Sequence, residues 1–161
     1  MTSLIQLHCE ALAQALLAHK ACIATAESCT GGLVAAALTE IAGSSAALDR
    51  GFVTYSNAAK VQMLGVPETT LAAHGAVSRP TAEAMARGAA CQAQAAVAVS
   101  ITGVAGPGGG SPEKPVGLVH FAAVGPRGLV HREERFGDIG RDQVRQAAVR
   151  VALTLLADQL A

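Results

Sequence analysis

The stretch "TAESCTGGLVAAALTE", Thr25–Glu40, joins a short apolar run to an alanine-rich one through a serine, a cysteine and a glycine pair. Residues 21–26 have the length and apolar character of a buried strand. Glu27 and Ser28 end it, and the segment from Thr30 through Gly31 and Gly32 opens a helix that runs to about Thr39. A strand, a tight turn and a helix in that order are the repeating unit of α/β folds. Glycine costs a helix interior about 1 kcal/mol relative to alanine, so the pair implies close approach by a ligand or by another backbone. Ser28 stands where a helix N-terminus can stabilise an oxyanion or a phosphate. A serine in that place is equally a plain helix cap.

Working outward, Thr2 or Ser3 caps a first helix with Leu4, Ile5, Leu7, Leu12, Leu16 and Leu17 at near-helical spacing. Downstream, "AGSSAAL" reads as a loop before "GFVTYSN", whose Phe52, Val53 and Tyr55 form a second strand. Asn57 caps a helix that contains Lys60, Met63 and Leu64 and stops at Gly65. Ser78 and Pro80 start a long helix to about Gln94, and "AAVAVSITG" is a strand of the kind buried on both faces. Gly103–Gly117 holds six of the seventeen glycines and three of the six prolines, which makes it an irregular loop. "LVHFAAV" and "LVHREERF" flank "GPRG" as a hairpin, and a last helix runs from about Arg141 to Leu160. With no linker, repeat or low-complexity tail, residues 1–161 are expected to be a single α/β domain.

Composition narrows the function. Twelve basic and twelve acidic side chains leave a formal charge of zero, and aromatics are 2% of residues. Neither the field nor the stacking platforms for nucleic acid are present. Mean hydropathy is positive, yet no run approaches the roughly 18 uninterrupted apolar residues of a membrane span. The first residues carry His8, Glu10 and Gln14 within their apolar pattern, unlike a signal peptide. Cys9, Cys22, Cys29 and Cys91 form no CxxC pair and no zinc spacing with the five histidines. A cytoplasmic protein with reduced thiols, binding neither membrane nor nucleic acid, is the expectation.

If the three apolar strands are parallel neighbours, the loops after Ala26, Tyr55 and Thr102 emerge on one edge, where open α/β sheets bind ligands. That gathers Ser28, Cys29, Tyr55, Lys60 and the glycine loop. Cys29 is intrinsically the better nucleophile, but no histidine lies near it in sequence, and a structural thiol is the alternative. Lys60 is one of three lysines. An ordinary lysine is neutral in only about one molecule in two thousand at pH 7, so a lysine base must be desolvated; the alternative is a solvated helix face. Tyr55 needs a neighbouring positive charge to act as a base. Arg141 and Arg145, four apart on one helix face, suit a phosphate or plain solvent. The glycine loop lacks GK[ST], no GxGxxG follows the first strand, Ala26 breaks GxSxG, and HExxH is absent. Chemistry without a metal or other cofactor is the expectation.

"TAESCTGG", "GFVTYSNAAKVQMLGV", "HGAVSRPTAEAMARGA", "SITGVAGPGGGSPEKPVGLV" and "RDQVR", in that order, resemble the CinA-like C-terminal domain family, which includes the bacterial nicotinamide-nucleotide amidohydrolases. The resemblance covers about residues 5–158. It implies a three-layer α/β/α sandwich with a mixed, mostly parallel central sheet, and a homo-oligomer. It further implies hydrolysis of nicotinamide mononucleotide to nicotinic acid mononucleotide and ammonia. In that reading Ser28 is the nucleophile, and Lys60 with Tyr55 activates it and shuttles the proton. Glu27, Thr30, Gly31, Asn57, Thr102, Gly103, Ala105, Gly106 and Gly108 surround the substrate, with Arg141 and Arg145 toward its phosphate. A nucleotide-binding module linked to competence or DNA-damage physiology, without hydrolysis, is the rival reading. Arg79 and Pro80 after "GAVS", and the spacing within "FGDIGRDQVR", depart from the family pattern.

Overall fold

The computed structural model describes residues 10–12, 14–15, 18, 22–40, 45 and 47–161. The expected amino-terminal helix falls mostly on positions outside that set, although Leu12 is described and fully buried. In chain order the elements are β1 (Ile23–Glu27), α1 (Leu33–Thr39), β2 (Leu48–Val53), α2 (Asn57–Leu64), α3 (Glu68–His74) and α4 (Arg79–Ala93). They continue with β3 (Val97–Gly103), β4 (Leu118–Gly125), β5 (Gly128–Arg135) and α5 (Arg141–Leu160).

The five strands form one sheet in the order β2-β1-β3-β4-β5. β1 runs parallel to both β2 and β3, whereas β3–β4 and β4–β5 are antiparallel. The sheet is therefore mixed, as expected, with its neighbour pairs divided equally between the two kinds. The loops after β1, β2 and β3 share one edge, because those strands point the same way.

Side chains alternate across a strand with a period of two. Ile23, Val97, Val99, Ile101, Val119, Phe121 and Ala123 pack on one face with α1 and α5 residues such as Val34, Leu38, Val149, Leu153 and Leu156. Ala24, Ala26 and Ala98 pack on the other with Leu64 of α2 and with Met85 and Ala89 of α4. Ala122 meets Ala82 and Ala86 of α4 on that face. Three layers result, with helices covering both faces. Small side chains let α4 sit close: a Cβ on Gly88 would collide with the Leu64 carbonyl, so glycine there lets α4 approach α2 backbone to backbone.

Local chemistry sets the element ends. Ser56, not Asn57, caps α2: its Oγ accepts from Ala59 N at 3.0 Å, and Asn57 is the first helical residue. Ser78 caps α4 with Pro80 in the first turn, as its sequence predicts. α1 starts two residues later than expected, because Gly31 and Gly32 adopt φ +58° and +107°. A Cβ on either would meet only ordinary contacts at 3.6 and 3.7 Å, so the pair answers a backbone requirement rather than making room for a ligand. β2 begins at Leu48, inside the segment expected as loop; α3 is short, with no buried residue.

Candidate active site

β1 delivers two adjacent side chains to opposite faces. Glu27 continues the parity of Ile23 and Thr25 toward α1, and Ser28 continues that of Ala24 and Ala26 toward α2. The consequence is chemical. The Glu27 carboxylate, 1% exposed, accepts from Val34 N at 2.8 Å through Oε1 and from Ala35 N at 3.2 Å through Oε2. Gly32, the residue before α1, offers no side-chain cap, so Glu27 answers that helix's free amides and its dipole. The α1 N-terminus is thus already occupied by a protein anion, and its first amides are not open to a substrate oxyanion.

Ser28 instead faces α2. Lys60, 1% exposed, donates from Nζ to Ser28 Oγ at 3.1 Å and to the Thr54 carbonyl at 2.7 Å. Burial lowers the Lys60 pKa below the ordinary lysine value. An amine held against a serine hydroxyl and biased toward its neutral form is the arrangement a lysine base requires.

A pocket of about 310 Å³ opens beside this pair. It is lined by Ser28, Cys29, Tyr55, Asn57 and Lys60, by Ala76 and Val77 of the α3–α4 loop, and by Thr102–Gly106, Gly108, Gly109 and Arg141. Thus Ser28, Tyr55, Lys60, Asn57, Thr102, Gly103, Ala105, Gly106, Gly108 and Arg141 converge, while Glu27, Thr30, Gly31 and Arg145 lie outside the lining. Ala76, Val77, Val104 and Gly109 complete the walls without reactive side chains to announce them. Thr102 Oγ1 donates to the Ala76 carbonyl at 2.9 Å and so fixes the facing wall.

Tyr55 is 60% exposed, and its hydroxyl accepts from Arg141 Nη2 at 2.9 Å. Arg141 Nη1 donates to the Gly106 carbonyl at 2.8 Å, so this guanidinium bridges the loop after β2 to the glycine loop. Arg145 Nε and Nη2 donate to the carbonyls of Cys29 and Thr30 at 3.1 and 3.2 Å. The two arginines that sequence treats as a pair therefore act in different places.

Cys29 is 6% exposed, and burial pushes its thiol up to about 11. At neutral pH it is protonated and a poor nucleophile. Among the described residues no three His, Cys, Asp or Glu side chains gather as metal ligands, and no helix is long and apolar enough to cross a membrane.

Fold and pocket together describe a three-layer α/β protein with a pocket at the shared edge of its parallel strands, the place where open α/β sheets bind ligands. The family model of the CinA C-terminal domain matches residues 6–160, and the chain belongs to that family. It is 57% identical over 152 residues to the nicotinamide-nucleotide amidohydrolase PncC of Escherichia coli K12, covering 93% of this chain and 91% of that one. It is 60% identical over 136 residues to a CinA-like protein of Anaeromyxobacter dehalogenans, of which the match spans 33%. The crystal structure of the competence/damage inducible protein CihA from Agrobacterium tumefaciens superposes with a TM-score of 0.95 at 54% identity, over 98% of this chain and 96% of that one. A CinA superfamily protein from Klebsiella pneumoniae gives 0.92 at 38%, over 98% of both chains.

Proposed function

We propose that this protein hydrolyses the carboxamide of nicotinamide mononucleotide, releasing nicotinic acid mononucleotide and ammonia, with Ser28 as nucleophile. The observation that carries the reading is the buried Lys60 amine 3.1 Å from Ser28 Oγ, both lining a pocket of about 310 Å³. The 57% identity to a relative named for this activity supplies the substrate.

Neutral Lys60 takes the Ser28 proton as Oγ attacks the carboxamide carbon, and the carbonyl electrons move onto oxygen. Among the described residues no backbone carbonyl accepts from the amides of Cys29 and Thr30, which follow Ser28 in its turn, and in this reading they serve as donors to that oxyanion. The tetrahedral intermediate collapses with cleavage of the C–N bond, and the Lys60 ammonium protonates the departing nitrogen to give ammonia. Water then attacks the acyl-serine ester with Lys60 again as base, and Ser28 regains its proton on release of the acid. Ala76, Val77, Val104 and Ala105 give the pyridine ring apolar walls, and Arg141 is the cation facing the pocket that suits the phosphate. In this reading Tyr55 orients Arg141 through their 2.9 Å hydrogen bond and is not the first proton acceptor. The enzyme returns a spent nucleotide to the pyridine nucleotide pool of the cytoplasm.

Incubating the protein with nicotinamide mononucleotide and measuring ammonia tests the activity. Release abolished by Ser28→Ala is expected. Saturable binding by folded wild type without any ammonia would support the non-catalytic nucleotide-binding module instead.

A further inference from the structure

Arg145 deepens this reading and rests on it. We infer that Arg145 is a positioning residue for the oxyanion site, acting on the backbone of the Ser28–Gly31 turn rather than on the phosphate. Its Nε and Nη2 are spent on the Cys29 and Thr30 carbonyls at 3.1 and 3.2 Å, and it stands outside the pocket lining. A trans peptide holds its C=O and N–H antiparallel. Drawing the Cys29 carbonyl toward α5 therefore turns the Thr30 N–H away from α5, which packs on the face opposite Lys60. The preceding peptide is held without Arg145, because the Ser28 carbonyl accepts from Gly31 N at 3.1 Å.

The turn's backbone bonds run from Ser28 N to the Ile101 carbonyl, from Gly31 N to the Ser28 carbonyl and from Leu33 N to the Thr30 carbonyl, and none of them holds the Cys29 carbonyl. Gly31 and Gly32 sit at φ +58° and +107°, where a glycine backbone has many alternatives. The Thr30 hydroxyl is buried without a hydrogen-bond partner and does not hold the turn. With the α1 amides taken by Glu27, a two-donor guanidinium beneath the carbonyls is the device that keeps the opposite N–H edge aligned before substrate arrives. Such preorganisation acts on the transition state, where charge develops, and not on ground-state binding. A phosphate contact would do the reverse.

The two roles separate in kinetics. Removing one oxyanion donor outright costs about 10²–10³ in kcat, and loosening the Thr30 N–H is expected to cost Arg145→Ala about 10–100-fold. KM, and the affinity of the Ser28→Ala background for nicotinamide mononucleotide with and without Arg145→Ala, should change by less than about 3-fold. Methylguanidinium added to Arg145→Ala should restore part of kcat, and Arg145→Lys, with a single point of charge, should fall between wild type and alanine. A rise in KM with kcat intact, or unchanged kinetics, overturns the inference. If Arg145→Ala fails to fold, the Arg145→Lys variant decides, with the same criteria. Phosphonylation of Ser28 by a small fluorophosphonate, which needs the same oxyanion donors but no nucleotide, should slow in parallel. Should wild type prove inactive on nicotinamide mononucleotide, the substrate assignment fails, while unchanged labelling in the arginine variants would separately refute the role of Arg145.

Discussion

Replacing Lys60 with methionine removes the proposed base while keeping a long unbranched side chain in its place. Lys60 is 1% exposed, so the methionine thioether takes over a buried channel of similar volume. Two hydrogen bonds disappear, to Ser28 Oγ at 3.1 Å and to the Thr54 carbonyl at 2.7 Å. Orphaning a buried carbonyl costs about 1–3 kcal/mol. Part of that is recovered, since burial already disfavours the ammonium form. The net loss is expected below about 2 kcal/mol, which for a chain of this size lowers Tm by less than about 8 °C. A positioned general base is worth about 10²–10⁴ in rate, so kcat for ammonia release should fall at least 100-fold.

The pH dependence adds a second readout. Neutral Lys60 is the active form, so the wild-type kcat/KM should climb with pH along a limb lying below the ordinary lysine range. Stability follows the same group: its folded pKa lies below its unfolded one, so the unfolded state binds more protons between the two values. The Lys60 contribution to stability therefore grows as pH rises through that window and is absent from Lys60→Met, so wild type should gain stability relative to the variant there. Residual kcat above a tenth of wild type in folded Lys60→Met, or a pH limb that survives the substitution, would refute the reasoning.

Cys29→Ala should keep kcat within about 3-fold, because a thiol pushed up to about 11 supplies no thiolate at neutral pH; a loss of activity would revive the cysteine mechanism. Glu27→Gln keeps the shape but loses the charge at the α1 amides, and urea unfolding should show a loss of about 1–2 kcal/mol, with KM little changed if Glu27 is a cap rather than a substrate ligand. Tyr55→Phe removes the 2.9 Å bond to Arg141 and should raise KM several-fold with kcat nearly intact; a 100-fold fall in kcat would make Tyr55 a proton carrier instead.

Much of this architecture is written in local pattern. The apolar runs before Ser28 and through Thr102, the Ser78–Pro80 start and the Arg141 start each carry a period or a cap that acts within a few residues. Parallel pairing then follows from chain order, and with it the gathering of Ser28, Lys60 and the glycine loop. Where reading falls short, the cause is non-local. Asp49 and Arg50 disguise β2, since an edge strand tolerates exposed charges. α3 has no fully buried residue, and Leu71 alone packing partly against the core gives it no period. Arg145 reads as an anion ligand until its partners appear 115 and 116 residues away, and these are carbonyls, which every residue possesses. Glu27 beside Ser28 looks like active-site chemistry because a sequence shows adjacency and conceals which side of the sheet each residue takes.

That split between Glu27 and Ser28 constrains how the gene can change length. Losing one codon within Ile23–Ala26 while the sheet pairing holds would bring the carboxylate round to Lys60 and send the hydroxyl beneath α1. The variant would trade nucleophile and base for a buried ion pair, and its helix would lose the anion that terminates it. Paired insertions or deletions preserve the parity, so drift in the length of this strand is expected in steps of two.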